Sequence, residues 1–389
     1  MIVTPLLQLA ADKQASDLFF SVGAPAHIKI DGIVVPVNAQ ILDGEIIKRI
    51  AYELMTPRRI TEFESTLEIS FSFHAENIGN FRVSVFRQRG DVAIVIRYLK
   101  GKIDSIEDLH LPTMLRDLIM EKRGLVMVVG ATGCGKSTTL ASMIDYRNSM
   151  TSGHILTIED PVEYIFKHNK SIVNQREIGT DTYAYDSALY NGMREAPDVL
   201  MIGEVRDRDT LKQALTFAQT GHLCLTTLHA NNSYHALNRI VNFFPYDARS
   251  GLLSDLSLCL RAVISQRLVR NVHGKLVPAV EILLNTSLIA DLIKTDNLDK
   301  IREAIEKSVS AGLQTFEQAL YKLYKAGQIT REEAMRNADS ASNMASLIDF
   351  SERPGTVKAL GIDHDQVEPQ TPTPPPDFRN ITLDLDEEK

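Results

Sequence analysis

The chain has no tryptophan and only three cysteines, Cys134, Cys224 and Cys259, among 389 residues. The missing tryptophan decides nothing. The cysteine count excludes a disulfide framework and a four-thiolate zinc site, and it fits a reducing interior. Long apolar runs are missing as well: none approaches the roughly 18 residues that span a bilayer, and the opening MIVTPLLQLAADKQ sets no basic segment ahead of an apolar core. A soluble, cytoplasmic protein is expected. Positive charge is in deficit, with 42 basic residues against 50 acidic ones, a formal charge of −8 and a pI near 5.7. That balance argues against a surface built to grip nucleic-acid backbone. The rest is ordinary for a globular chain, 44% hydrophobic and 24% charged, which excludes wholesale disorder and a fibrous chain. The length suggests two to three domains of roughly 150 residues each.

The first hundred residues read as a small α+β unit. Short β-type runs lie at 17–22 and 27–37, with Asp31-Gly32 as a hairpin turn, and a helix is expected over about 43–55 from the spacing of Ile46, Ile47, Ile50 and Leu54. Three further strands are expected at 67–74, 80–88 and 91–98, so that 1–98 forms one domain. Residues 99–111 lose periodicity and read as a linker, and Pro112 opens a helix to about 122. From 124 onward strand, glycine-rich loop and helix alternate, which predicts α/β units around a largely parallel sheet over 112–285. Strands are placed at 125–130, 154–159, 198–203 and 222–228, with a hairpin at 265–283 turning at His273-Gly274. Helices are expected at 286–294, 298–309, 314–326 and 330–338, making 286–351 a helical subdomain. Residues 352–389 hold six of the 15 prolines and nine acidic against four basic residues. Such a segment buries too little apolar surface to offset ordering entropy, and a flexible tail is expected.

The stretch GATGCGKST (130–138) follows the apolar strand Leu125–Val129 and precedes a helical run. It fits G-x-x-x-x-G-K-[ST] through Gly130, Gly135, Lys136 and Ser137. Glycines allow the tight turn by which the N–H groups of Thr132, Gly133, Cys134 and Gly135 converge on phosphate oxygens, and the helix N-terminus adds positive potential there. Lys136 would reach the β and γ phosphates, Ser137 would ligate Mg2+, and Thr138 is positioned for the α-phosphate. The expected ligand is ATP with Mg2+. A second apolar strand ends in Gly203-Glu204, where a carboxylate at a strand tip suits a Walker B acid holding a magnesium-bound water. TIEDPVEYIF (157–166) places Glu159, Asp160 and Glu163 in an acidic turn, because the residue before Pro161 is driven to an extended or turn conformation.

GATGCGKST, TIEDPVEYIF, MREAPDVLMIGEVRD (193–207) and TGHLCLTTLHANN (220–232) together resemble the secretion-superfamily hexameric ATPases, and within them the type IV pilus retraction ATPases of PilT/PilU type. ASDLFFSVGAPAHIKIDG (15–32) and GNFRVSVFRQRG (79–90) look like that family's first domain. The resemblance implies a PAS-like α+β N-terminal domain and a RecA-like P-loop ATPase domain, with nucleotide held between subunits of a homo-hexameric ring. It also implies catalytic roles: Glu163 as the glutamate that polarises water, Glu204 as the Walker B acid, and His222 and His229 as the His-box pair, with His229 nearer the γ-phosphate. Arg82 and Arg97 resemble basic residues extended towards a neighbouring subunit's nucleotide. Arg194, Arg206 and Arg239 fall in family-like contexts without an assigned role. Where the family carries an AIRNLIRE-like helix, this chain reads SLIADLIKTD (287–296), which keeps Leu292 and Ile293 but not the arginine. That departure and the added tail point to the PilU-like branch.

The implied function is mechanochemical: ATP hydrolysis promoting pilus retraction and twitching motility together with a principal, paralogous retraction ATPase. The implied place is the cytoplasmic base of the pilus machine, docked on an inner-membrane platform protein, with no nucleic acid bound. Two other readings stand beside it. One is a nucleotide-binding accessory that modulates a paralogous motor. The other is an assembly or type II secretion ATPase, which the absence of a four-cysteine insert disfavours. A nucleic-acid translocase shares the RecA core but is opposed by the acidic balance.

Overall fold

The computed structural model describes residues 1–30, 32–99, 101–308 and 312–351. The tail expected at 352–389, Asp31 of the first hairpin turn and the last residue of the run expected at 298–309 lie outside the described residues. The described residues divide into two compact units, one built on Met1–Lys102, the other on Ile103–Val162 and 166–351.

The first unit runs α1 (Thr4–Asp12), β1 (Asp17–Phe20), β2 (Pro25–Ile30), β3 (Ile33–Ile41), α2 (Gly44–Leu54), α3 (Pro57–Thr66), β4 (Glu68–Ala75), β5 (Gly79–Gln88) and β6 (Asp91–Leu99). The six strands form one sheet in the order β3-β2-β1-β6-β5-β4, with every pair antiparallel. Alternation decides its faces. Leu18, Ile28, Phe81, Val83 and Ile96 are buried in one core with Ile47, Ile50 and Phe63 from the helices. The opposite face carries a cross-strand row: Asp17 pairs in register with Lys29 on β2 and Arg97 on β6, and Arg97 pairs with Arg82 on β5. Two helices were not expected from the sequence. In α3 only Phe63 is buried, so no apolar stripe marks the helix. Its signal is instead local: the Thr56 hydroxyl caps the first turn and Pro57 sits at the first position.

The second unit runs α4 (Met114–Ile119), β7 (Gly124–Val129), α5 (Lys136–Met150), β8 (Gly153–Glu159), β9 (Ser171–Glu177), α6 (Tyr185–Gly192), β10 (Val199–Ile202), α7 (Arg208–Gln219), β11 (Leu223–Leu228), α8 (Ser233–Asn242), α9 (Arg249–Cys259), β12 (Leu260–Arg270) and β13 (Leu276–Leu284). The helices α10 (Ser287–Lys294), α11 (Ile301–Glu306), α12 (Phe316–Lys325), α13 (Arg331–Asn337) and α14 (Ala341–Ser351) follow. The seven strands order as β13-β12-β7-β11-β10-β8-β9, parallel throughout except for the β12–β13 hairpin. Every residue of β7, β10 and β11 is buried, as expected of parallel strands covered on both faces. The fold is therefore α/β with a RecA-like core, preceded by an antiparallel α+β unit. The sequence reading missed β9, whose run SIVNQRE mixes apolar and polar residues at an edge. It also missed α14, and it joined a 3-10 turn (Leu298–Lys300) to α11 as one helix. Ile106 and Leu111, in the stretch read as a linker, are buried, and the division between units falls after Lys102.

Strand order is what builds the site. β11 lies between β7, which feeds the P-loop, and β10, which ends at Ile202 two residues before Glu204. With strands about 4.8 Å apart, the two tips stand about 10 Å from each other, and the residue that follows β11 falls into the gap. That residue is His229.

Candidate active site

The loop 130–135 turns through three glycines with positive φ: Gly130 (156°), Gly133 (77°) and Gly135 (91°). Gly130 admits no side chain, since a Cβ would stand 2.4 Å from Cys134 Sγ and 2.6 Å from the Gln266 carbonyl. Gly135 is the N-cap of α5, and no side chain caps that helix. The first turn of α5 and the left-handed glycines turn their N–H groups into one concave loop, a set of donors that fits a phosphate. Thr132 and Gly133 are exposed, Ser137 and Thr138 are half-buried, and Cys134 is buried. Burial raises the Cys134 thiol's pKa, so its part is packing and not chemistry.

Lys136 is 9% exposed. Its ammonium donates to the carbonyls of Gly130 (3.0 Å) and Ala131 (2.9 Å) and lies 3.4 Å from His229 Nδ1. An ammonium only donates, so Nδ1 accepts and the ring proton sits on Nε2. That nitrogen faces Glu204 Oε1 at 3.3 Å. The other oxygen of Glu204 accepts from Arg206 Nε at 2.8 Å, and Arg206 reaches Asp160 at 3.4 Å. One polar chain thus joins Lys136, His229, Glu204, Arg206 and Asp160. Tyr185 packs beside it, with its hydroxyl 3.2 Å from where a Cβ on Gly203 would stand. Burial, then the charge of Asp160, drives its pKa upward, so it remains a phenol.

The sequence reading missed Gln266. From β12 its Nε2 donates to the Cys134 carbonyl at 2.8 Å and its Oε1 accepts from Thr139 at 2.7 Å, with both side chains buried. It pins the P-loop to the neighbouring strand. The signal was a polar residue inside an apolar strand, in ISQRLV.

Other expected residues stand apart. His222 opens the opposite end of β11: its carbonyl accepts from the Gly124 amide, and its ring bonds Thr220 and the Phe217 carbonyl. Parallel register places it a full strand length from His229, so the two histidines do not share a site. Glu163 is exposed, lies in a stretch (Glu163–Ile165) that is not part of the second unit, and makes no hydrogen bond or ion pair among the described residues. Arg82 and Arg97 belong to the first unit. Arg97 is tied to Asp17 at 2.9 Å although its side chain is 59% exposed, whereas Arg82 has no partner among the described residues. Arg239 donates to the His229 carbonyl at 3.0 Å, which gives that arginine a structural place at the site.

The family model for "Type II/IV secretion system protein" matches residues 1–286. The type IV pilus ATPase PilU of Pseudomonas aeruginosa is 48% identical over 344 residues, covering 88% of this chain and 90% of that protein. The PilT retraction ATPase of the same organism is 39% identical over 343 residues, covering 88% of this chain and all of that one. Among solved structures, the pilus retraction motor PilT with bound ADP superposes with a TM-score of 0.83 at 39% identity, covering 89% of this chain and 99% of that one. The chain belongs to the type II/IV secretion system protein family and, within it, to the PilT/PilU-type pilus ATPases.

Proposed function

We propose that the chain is a hexameric ATP-hydrolysing motor of the type IV pilus machine, promoting retraction and twitching motility together with a principal retraction ATPase. The observation that carries the reading is the contact chain from Lys136 through His229 to Glu204, which assembles a phosphate-binding cation and a carboxylate at adjacent strand tips. On this reading Lys136 exchanges its two carbonyl partners for the β and γ phosphates. Ser137 and Glu204 would hold Mg2+, which neutralises charge on phosphate oxygens. Glu163 orients the attacking water, and His229 senses the γ-phosphate through Lys136 and passes its displacement to Glu204. Arg82 and Arg97 act on a neighbouring subunit's nucleotide, where an arginine supplied in trans is worth roughly 10³–10⁵ in rate. The lack of a side-chain partner for Arg82 among the described residues supports that role, since an arginine on a sheet face with no acceptor there is free to find one elsewhere.

No helix among the described residues is long and apolar enough to cross a membrane. We place the protein in the cytoplasm at the inner-membrane base of the pilus, held there by the platform protein. The test is phosphate release by the purified chain, alone and mixed with its paralogue. Lys136→Ala should abolish turnover and ATP retention together, and Glu204→Gln should spare retention while removing turnover. Retraction in cells that survives both substitutions would refute a motor role.

A further inference from the structure

His229 stands at the head of a four-residue loop, 229–232, between β11 and α8. Its ring can link Lys136 to Glu204 only if that loop is held, and the holding groups come from distant parts of the chain. Arg267 NH2 donates to the Asn231 carbonyl at 3.1 Å and pairs with Asp339, while its NH1 donates to the Asn337 carbonyl at 2.6 Å. Asp339 Oδ2 accepts from the Asn232 amide at 2.9 Å. Asn232 is engaged twice, because its Oδ1 also caps α8 at the His235 amide. One residue on, the Ser233 amide donates to Glu281 at 2.8 Å, a buried carboxylate that Ser265 also bonds.

The connection between α13 and α14 is thus fastened to the loop that carries His229. It is fixed from its other side as well: buried Glu317 accepts from the Ser340 amide at 2.8 Å and from Arg302 at 2.9 Å. The Arg267 guanidinium lies 3.9 Å from the centre of the fully buried Phe316 ring, where α12 begins. Period-two alternation along β12 completes the picture. Gln266 faces the P-loop, and the adjacent Arg267 faces the His-box loop, so one strand braces both halves of the site.

We infer that Arg267 and Asp339 are positioning residues for the reaction: they set the place of His229 through Asn231 and Asn232, and so make turnover depend on the α13–α14 connection. The inference rests on the ATPase reading above. Nucleotide that draws Lys136 away from His229 shifts loop 229–232, and the strain passes along these bonds to Asn337–Ser340. In the reverse direction, force on the C-terminal helices reaches His229. Arg267 and Asp339 act through Asn231, Asn232 and Asn337, the groups they bond.

The experiment uses the full chain in its assembled form. Asp339→Ala should lower kcat about tenfold while KM and the dissociation constant for ADP stay within twofold, and Asp339→Glu should recover most of the loss. Hydrogen exchange provides the readout that a merely structural role would not move. ADP should slow exchange of the amides at 337–340 in the unaltered chain, and Asp339→Ala should abolish that response while leaving the strand amides of β7 protected. The inference is overturned if kcat stays within twofold in Asp339→Ala, or if ADP leaves exchange at 337–340 unchanged. Should the unaltered chain bind ADP without turning over ATP, the ATPase reading fails separately, and the exchange response alone decides the coupling.

Discussion

Gln266 offers the sharpest test of how this site is built. Replacing it with leucine keeps the volume but removes both arms of the amide. Thr139, 1% exposed, loses the acceptor of its hydroxyl, and the Cys134 carbonyl loses its only side-chain donor among the described residues. Each buried group left without a partner costs about 1–3 kcal/mol, so Gln266→Leu should cost about 2–6 kcal/mol in all. Thr139→Val severs one arm and should cost about half as much. Part of the penalty falls on the loop geometry that binds nucleotide. If that share is about 1.4 kcal/mol, affinity weakens about tenfold. Urea denaturation gives the first number, and titration with a fluorescent ATP analogue gives the second. Stability lost with affinity held within twofold would refute the idea that the pin shapes the phosphate site. No change in either would mean that the two hydrogen bonds carry no net weight.

Two further outcomes follow from the geometry. Arg82→Ala should leave nucleotide affinity intact and cut turnover at least a hundredfold in the assembled ring, well within the range of an arginine supplied in trans; equal loss of binding and turnover would place Arg82 in its own subunit's fold. Glu281 is held by Ser233 and Ser265 in a buried place, and burial raises its pKa above 4.5, with Asp339 adding to the shift. The folded state therefore binds this proton more tightly than the unfolded chain does. The resulting stability is complete below the ordinary carboxylate range and is lost as pH rises through the raised value. Glu281→Gln keeps an acceptor for both serines and removes the titration, so urea midpoints measured from acid to neutral pH should fall less steeply than in the unaltered chain. An unchanged slope would mean that Glu281 does not titrate differently on folding.

Local chemistry was legible in the sequence wherever a few adjacent residues dictate the outcome. Glycines 130, 133 and 135, the apolar strand before them and the helix after them specify a tight strand–loop–helix turn by backbone sterics, and the structure adds its φ angles. The same holds for the hairpin turn at His273-Gly274, where Gly274 takes a φ of 75°. Continuous apolar runs marked the central strands because both faces of a parallel sheet are covered. Elements without such a signature were missed, notably α3, which buries a single side chain, and the edge strand β9.

Tertiary structure decided the rest, for a physical reason. Hydrogen bonds between side chains depend on which strands become neighbours, and neighbours in a parallel sheet are far apart in the chain. Lys136 and His229 are 93 residues apart, and Thr139 and Gln266 are 127 apart. No local pattern encodes those meetings. The order that sets β11 between β7 and β10 brings His229 into the site, and the direction of β11 sends His222 to the far edge. The sequence by itself nominated the residues that could grip a phosphate. Only the packing of the sheet settled which carboxylate, histidine and glutamine stand beside it.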